Sequence, residues 1–253
     1  MATKKNEVAT VPSGYMALAD TDLGALISEE LDGLNITFGK VKIPSGGGLN
    51  YELPGEDGEP DTVKEFSAVI LLQHPLNAYY ASAYTGGNQP PDCAAIDGRH
   101  GVKRATGEVC VCADCPHNQF DSGKNGGKAC QNRRRIYLLR EGELFPMLLS
   151  LPTGSLQEFT RYMTSLVTKG RKSNSVVTRF ALQKATNKGG IEFSRAKFCV
   201  DRVLTPEEYG HIQRLTEQVR ALSASVGFEE DAPTDEAPLA DLPTPGDDDV
   251  PLT

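Results

Sequence analysis

Residues 66–72 have the sequence Phe-Ser-Ala-Val-Ile-Leu-Leu, which ends in five consecutive apolar residues from Ala68 to Leu72. A strand with one solvated face alternates apolar and polar residues, whereas a strand covered on both faces is apolar throughout. This stretch is apolar on both faces and therefore predicts a central strand.

Alternating apolar residues predict further strands around the central one, over residues 36–38, 41–43, 136–139, 144–149, 176–182 and 191–200. The last two flank the turn sequence Asn187-Lys188-Gly189-Gly190, whose residue types suit a hairpin. Apolar residues at helical spacing predict amphipathic helices over 20–31, 154–169 and 205–223. The third helix opens with Thr205, Pro206 and Glu208, the pattern of a capping box.

Together these elements predict a mainly β domain with flanking helices, an α+β architecture. Hairpin connections and a helix between two groups of strands favour an OB-fold-like barrel, a fold that binds single strands on a basic face with aromatic side chains. A generic α+β sheet domain fits the pattern alone about equally well. We expect a disordered N-terminus over 1–14, an OB-like nucleic-acid-binding domain over 15–226 with a zinc module inserted at about 90–132, and a disordered tail over 227–253.

Charge is segregated along the chain. The overall net charge is −8, but residues 1–98 carry −9, residues 99–197 carry +11, residues 198–220 carry −1 and the remainder −9. A block with that excess of cations attracts phosphate groups. The acidic end has nine Asp and Glu residues and no Lys or Arg, a composition that predicts disorder.

The segment from Cys93 to Cys130 is rich in glycine and has almost no apolar periodicity. It lacks the residues for a hydrophobic core, so another interaction must hold it. A structural zinc ion bound by four thiolates does this, because its binding free energy becomes folding free energy. The knuckle Cys112-Ala113-Asp114-Cys115 brings two sulfurs to one ion, and Cys93 and Cys130 complete the predicted set of ligands.

Other ligands remain open for this site. Cys110 is an alternative, and His100 or His117 could take a fourth position. Cys199 lies between Phe198 and Val200, so we expect an ordinary buried cysteine there. The start of the chain has no signal-peptide pattern and no window reaches the roughly 18 apolar residues of a membrane span. We therefore expect no membrane association and a cytoplasmic location, where thiols and metal ligands are commoner than disulfides.

Two parts of the sequence resemble known DNA-binding proteins. The order Pro91-Asp92-Cys93, Cys112 to Pro116 and Gly127 to Cys130, followed by three arginines, resembles bacteriophage single-stranded DNA-binding proteins that carry a zinc-bearing insert in an OB-like domain. The end of the chain, Asp247, Asp248, Asp249, Val250, Pro251 and Leu252, resembles the C-terminal tip of bacterial single-stranded DNA-binding proteins, although Leu252 replaces the terminal aromatic residue.

These resemblances imply a structural zinc ion and sequence-independent binding of single-stranded DNA without catalysis. They also imply a role in phage replication or recombination, in the host cytoplasm, and recruitment of replication or recombination proteins through the tip at 247–252. Leu252 in place of an aromatic residue points to a partner other than the host's usual ones.

A sequence-tolerant single-strand binder needs cations for phosphates and flat side chains for bases. Tyrosines in a polar stretch are the stacking candidates: Tyr79, Tyr80 and Tyr84. The cation candidates lie in the arginine run, in the loop after the second helix and on the second hairpin: Arg133, Arg134, Arg135, Lys169, Arg171, Lys172, Arg179, Arg195 and Lys197.

Two other functions fit parts of the sequence. A zinc-ribbon regulator that binds duplex DNA or RNA polymerase is the main alternative. A metal-dependent nuclease is a weaker one, based on His100 near Asp97 and on His117 beside Asn118. An ATPase is excluded, because the glycine-rich stretches lack the Lys-Ser or Lys-Thr pair of a phosphate-binding loop.

Overall fold

The computed structural model describes residues 14–16, 19–34, 36–44, 46–55, 57–82, 90–123, 126–187, 190, 192–223 and 227. The acidic tail after Gly227, Tyr84 and nearly all of the predicted N-terminal segment lie outside these described residues.

Within them the helices are α1 (Leu23–Glu30), α2 (Thr153–Thr168) and α3 (Pro206–Ser223). The strands are β1 (Lys40–Val41), β2 (Tyr51–Leu53), β3 (Asp61–Val63), β4 (Glu65–Tyr79), β5 (Cys93–Ala95), β6 (His100–Lys103), β7 (Val109–Val111), β8 (Cys130–Leu139), β9 (Met147–Leu151), β10 (Val176–Thr186) and β11 (Glu192–Val203). The three predicted helices and both predicted hairpins, β8–β9 and β10–β11, are confirmed. Residues 36–38 form no strand, although Phe38 is buried. No helix among the described residues has the length and apolarity needed to cross a membrane.

Strand β4 is the central strand predicted from the apolar run. One edge pairs antiparallel with β8 from Val69 to Tyr79. The other edge pairs with β10 near its start and with β5 near its end. The main sheet has the order β1-β9-β8-β4-β5-β6-β7, with β10 joining β4 and β11 joining β10. β4 therefore connects the β8–β9 and β10–β11 hairpins to the cysteine-containing strands β5, β6 and β7.

Each face of β4 packs in its own core. Ala68 and Ile70 face a core that includes Phe159 and Leu166 of α2. Val69 and Leu71 face a second core, which contains Ile212, Leu215 and Val219 of α3. A fully buried aliphatic side chain stabilises the fold by roughly 1.5–3 kcal/mol. The absence of a polar face on β4 thus reflects helices on both sides of the sheet.

The mainly β, α+β architecture is confirmed, but the described strands form an open sheet and no closed barrel. A small barrel has a single interior, so its strands need only one apolar face. Here α3 covers the second face of β4 and β8, where Leu139 and Tyr137 are buried beside Val69. The predicted OB-like barrel is therefore not found in this part of the chain.

The capping box of α3 is formed as predicted. The backbone N–H of Glu208 donates to Oγ1 of Thr205 at 3.2 Å, and the N–H of Thr205 donates to Oε2 of Glu208 at 2.9 Å. Arg202 donates to both carboxylate oxygens of Glu208, at 2.7 and 2.8 Å. These bonds hold the pKa of Glu208 down at about 2, with the Arg202 hydrogen bonds as the largest cause.

Candidate metal centre in the cysteine module

The cysteine module comprises β5, β6, β7 and the loops up to the start of β8, and it extends the sheet from the C-terminal end of β4. Tyr79 pairs with Cys93 on one side and with Cys130 on the other. Directly paired residues project to the same face of a sheet, so Cys93, Tyr79 and Cys130 share a face. Gly101 pairs with Cys110 across β6 and β7.

Five cysteines line a single cavity of about 240 Å³: Cys93, Cys110, Cys112, Cys115 and Cys130. They come from three strands and from the single loop after β7, which carries both Cys112 and Cys115, and none forms a disulfide. Asn77, Tyr79 and His117 also line the cavity. The four predicted ligands and the alternative Cys110 are therefore brought to one place by the fold.

Gly101 lets these thiols come together. A Cβ placed on Gly101 would lie 2.8 Å from Sγ of Cys93, 3.0 Å from Sγ of Cys110 and 3.7 Å from Sγ of Cys112. The three sulfurs therefore surround the space that a side chain at residue 101 would occupy. Gly101 does not have a left-handed φ, so its backbone conformation does not require glycine. The requirement comes from the close packing of the sulfurs.

The cluster has the cysteine composition of a zinc–thiolate site, and one of its sulfur–sulfur distances matches such a site. The Sγ atoms of Cys93 and Cys110 are 3.9 Å apart, and a tetrahedral zinc ion with Zn–S bonds of about 2.3 Å separates its sulfurs by about 3.8 Å. Yet no group of three or more His, Cys, Asp or Glu among the described residues has a geometry that could hold a metal ion. The thiols are gathered around the cavity without converging on one point.

Burial raises the pKa of both Cys93 and Cys130 to about 12. The pKa of Cys112 is raised by the same cause. Neighbouring thiols contribute to all three shifts, because several thiolates in one cavity repel each other. These thiols are accordingly protonated by themselves at neutral pH, and a cation that binds them must displace their protons.

The knuckle between Cys112 and Cys115 is held by side-chain hydrogen bonds. Nδ2 of Asn118 donates to the carbonyl of Cys112 at 2.8 Å, and Nε2 of Gln119 donates to the carbonyl of Ala113 at 2.7 Å. The backbone N–H of Asn118 donates to the carbonyl of Cys115 at 2.9 Å. The turn that carries both cysteines is therefore built by polar contacts.

The two histidine alternatives differ in position. Nδ1 of His100 lies 2.7 Å from Oδ2 of Asp97 in an exposed pair, and His100 is not among the residues that line the cavity. His117 lines the cavity but stacks on Tyr79, with ring centroids 4.0 Å apart.

Cys199 is exposed on β11, so the prediction that it is buried was wrong. It pairs with the exposed Arg179, on the face of β11 opposite Phe198. The apolar neighbours Phe198 and Val200 suggested burial, but alternation along the strand turns Cys199 away from them.

The predicted stacking residues have other contacts in this structure. Tyr79 is half-buried beneath His117, and Tyr80 packs against Leu76 and Ala78. Tyr84 lies outside the described residues.

The arginine run is mostly internal. Arg133 and Arg135 are buried, and Arg135 donates to the carbonyl of Gly227 at 2.7 Å. Arg134 is half-buried, donates to Gln73 and lies over the ring of Phe159. The position of these side chains beside β4 and α2 limits their reach toward a ligand.

The remaining predicted cations lie on the surface. The connection that follows α2 contains Lys169, Arg171 and Lys172. The guanidinium of Arg195 lies over the ring of Phe193. The other two cations form ion pairs, Arg179 with Asp201 and Lys197 with Glu158. The fold therefore divides the predicted cations among three regions and does not collect them in one groove.

Sequence reasoning missed several residues of the module. Gly101 was not singled out, although a glycine midway between two cysteines is a signal of close approach. The exposed Arg99 and Arg104 and the partly exposed Lys128 were missed because they follow no pattern. Phe120 was also missed, although an isolated aromatic residue in a polar, glycine-rich loop could have been noticed.

No protein-family model, no curated protein and no solved structure matches this chain.

Proposed function

We propose that this chain is a sequence-independent single-stranded DNA-binding protein of the bacteriophage type, whose cysteine module is held together by one structural zinc ion. The observation that carries the proposal is the cysteine module itself, in which five thiols line one cavity and cations lie on the outside. A binding role without catalysis is part of the proposal.

Zinc suits the donors that the module offers. Soft thiolates select zinc over hard cations such as magnesium or calcium. The space beside Gly101 is lined by Cys93, Cys110 and Cys112, and the mutual repulsion of their thiolates would be relieved by a dication. When bound, zinc would supply structural cross-linking, and Cys93, Cys112, Cys115 and Cys130 are the proposed ligands.

Single-stranded DNA suits the outer surface. Among the described residues, no ion pair involves Arg99, Arg104 or Lys128 on the module, nor Lys169, Arg171 or Lys172 after α2. All six belong to the block of net charge +11. Cations without acidic partners are available to phosphates, and they make binding dependent on salt.

The inserted zinc module is the part of the predicted architecture that this proposal keeps. The acidic tail, with its tip at 247–252, is proposed to recruit replication or recombination proteins and to compete with DNA for the cations. Protection of exposed single strands during phage replication or recombination, in the host cytoplasm, is the proposed role.

A gel-shift comparison of single-stranded and duplex oligonucleotides of unrelated sequences, at low and moderate salt, tests the binding proposal. We expect salt-sensitive binding of every single strand and weaker binding of duplexes. Equal affinity for both would refute it, and preference for one duplex site or for RNA polymerase would favour a zinc-ribbon regulator. Oligonucleotides cleaved in the presence of added metal would indicate a nuclease.

Elemental analysis tests the zinc proposal. We expect about one zinc ion per chain, lost in Cys112→Ser and retained in the control Cys199→Ser, which alters an exposed thiol outside the cavity. Comparison of Cys110→Ser with Cys130→Ser identifies the fourth ligand. Full zinc content in Cys112→Ser would show that the ligand set is wrong.

A further inference from the structure

Phe120 stands out on the surface of the cysteine module. Of the Phe and Tyr side chains that the structure describes, it alone is exposed, with 52% of its surface accessible. Single exposed apolar residues are common in proteins. A function for this one therefore depends on what surrounds it.

The loop that carries Phe120 is fixed by the polar residues around it. Oγ of Ser122 donates to the carbonyl of Gln119 at 2.6 Å and accepts the N–H of Ala129 at 3.0 Å. The N–H of Gly123 donates to the carbonyl of Gly127 at 2.8 Å. These contacts fix the backbone beside Phe120, and its ring remains exposed. A ring held in this way loses little conformational entropy when a ligand covers it.

The ammonium group of Lys128 lies over the ring of Phe120. Nζ of Lys128 lies 5.0 Å from the centroid of Phe120, within the range of a cation–π contact, and Lys128 makes no ion pair with another described residue. His117, three residues before Phe120, is exposed and stacks on Tyr79 with 16° between the ring planes. The loop thus presents flat side chains beside an ammonium group.

This combination fits single-stranded nucleic acid better than a protein partner. The sequence neighbours of Phe120 are polar, Asn118, Gln119 and Asp121, so the ring does not belong to a run of apolar residues of the kind that marks many protein interfaces. A nucleotide needs one ring for its base and one cation for its phosphate. The exposed Arg99 and Arg104 of the same module, like Lys128, make no ion pair with another described residue, which favours a polyanion.

We propose that Phe120 is a base-stacking residue and that Lys128 contacts the adjacent phosphate. This inference rests on the proposed function and specifies where the single strand lies. The strand crosses the outer surface of the cysteine module, on the loop that follows the Cys112–Cys115 knuckle, and not on the tyrosines predicted from the sequence.

The chain contains no tryptophan, so Phe120→Trp creates a single fluorescent probe at the proposed contact. Titration with oligo(dT) should quench its emission. Val167→Trp, on the exposed side of α2 where Val167 is 70% accessible, is the matched control and should show little quenching. Equal quenching of both variants, or of neither, would overturn the inference.

Affinity supplies a second readout. Phe120→Ala should weaken binding of oligo(dT) roughly 5- to 100-fold, and Phe120→Trp should keep wild-type affinity. Lys128→Gln should reduce the slope of log K against log salt by about one. Zinc content and melting temperature should stay unchanged in the Phe120 variants, because this side chain is exposed.

The two proposals fail in different ways. Wild-type protein that binds single strands, with unchanged affinity in Phe120→Ala, would overturn the role of Phe120 and leave the proposed function standing. Wild-type protein that binds no single strand would overturn both.

Discussion

Replacement of Gly101 by alanine tests whether the thiol cluster is a zinc site. Gly101 lies on β6, opposite Cys110, and its missing side chain leaves the space that the sulfurs surround. An added methyl group would occupy that space while every proposed ligand atom stays in the chain. The substitution therefore removes no ligand and perturbs only the geometry of the site.

The size of the effect follows from the distances. The alanine Cβ would be 2.8 Å from Sγ of Cys93, and ordinary van der Waals contact begins at 3.4 Å, so this sulfur must move by about 0.6 Å to reach an ordinary contact. Zinc–ligand distances in real sites vary by only about 0.2 Å. Cysteine has one rotatable side-chain bond, and its next staggered position is about 120° away. Cys93 must therefore strain its rotamer or leave the cavity.

The assay is competition for zinc by a chromogenic chelator. We expect Gly101→Ala to lose affinity at least tenfold, the lower end of the range measured when residues that support metal ligands are changed, which is about 10- to 100-fold. The control is Gly210→Ala. Gly210 lies in α3, and a Cβ added there would have no heavy atom within 4 Å, so this variant should gain roughly 0.5–1 kcal/mol of stability and release zinc as the wild type does.

Equal zinc affinity in Gly101→Ala and the wild type would refute a zinc site at this position, because the methyl group would occupy the space that the sulfurs must approach to bind one ion. Circular dichroism separates this outcome from general unfolding. The cores beside α2 and α3 lie outside the module, and their melting should be less affected than zinc release.

Three further predictions concern stability and the tail. Glu208→Gln should lower the free energy of unfolding by about 1–3 kcal/mol, because it weakens the charged hydrogen bonds from Arg202; urea denaturation measures this, and an equal loss in the exposed control Glu207→Gln would contradict it. Burial holds the pKa of His211 below its usual value, so its contribution to stability is present above a pH of about 6.5 and declines as the pH falls toward the folded-state pKa. His211→Gln should flatten the dependence of the urea midpoint on pH, and an unchanged profile would argue against His211. Deletion of residues 229–253 removes nine acidic side chains and should tighten binding to single strands in gel shifts at low salt, whereas unchanged affinity would show that the tail does not compete.

The elements of the fold follow from local patterns. The apolar run at Ala68–Leu72 predicted a central strand that is apolar on both faces, and the structure has helices covering both faces of β4. The same run carried information against a barrel, since a strand in a small barrel needs one apolar face. The predicted hairpins favoured the barrel, and this prediction was wrong for the described strands. A hairpin shows which strands are neighbours, but it does not show whether the sheet closes on itself.

The arginine run at residues 133–135 shows a second limit of prediction from sequence. Arg133, Arg134 and Arg135 lie on β8, and successive residues of a regular strand point to alternate faces. Whether those faces are exposed depends on packing by distant segments, such as α2 against Arg134 and Gly227 against Arg135. Sequence periodicity near residue 134 contains nothing about these partners.

The structure of the cysteine module links the proposed zinc ion to the proposed stacking of a base on Phe120. Its strands expose Val102, Val109 and Val111, and its cavity is lined by five thiols together with polar side chains such as Asn77 and Asn118, so hydrophobic burial contributes little to its stability. The hydrogen bonds from the side chains at 118 and 119 fix the knuckle, but they form only if the turn is already in place. A metal that binds Cys112 and Cys115 would hold that turn, and the same turn leads directly into the loop of Phe120. Zinc binding would therefore fix the position of the Phe120 loop through the few residues of backbone between Cys115 and Phe120. The metal would contribute to DNA binding by positioning this loop, without contacting the DNA itself.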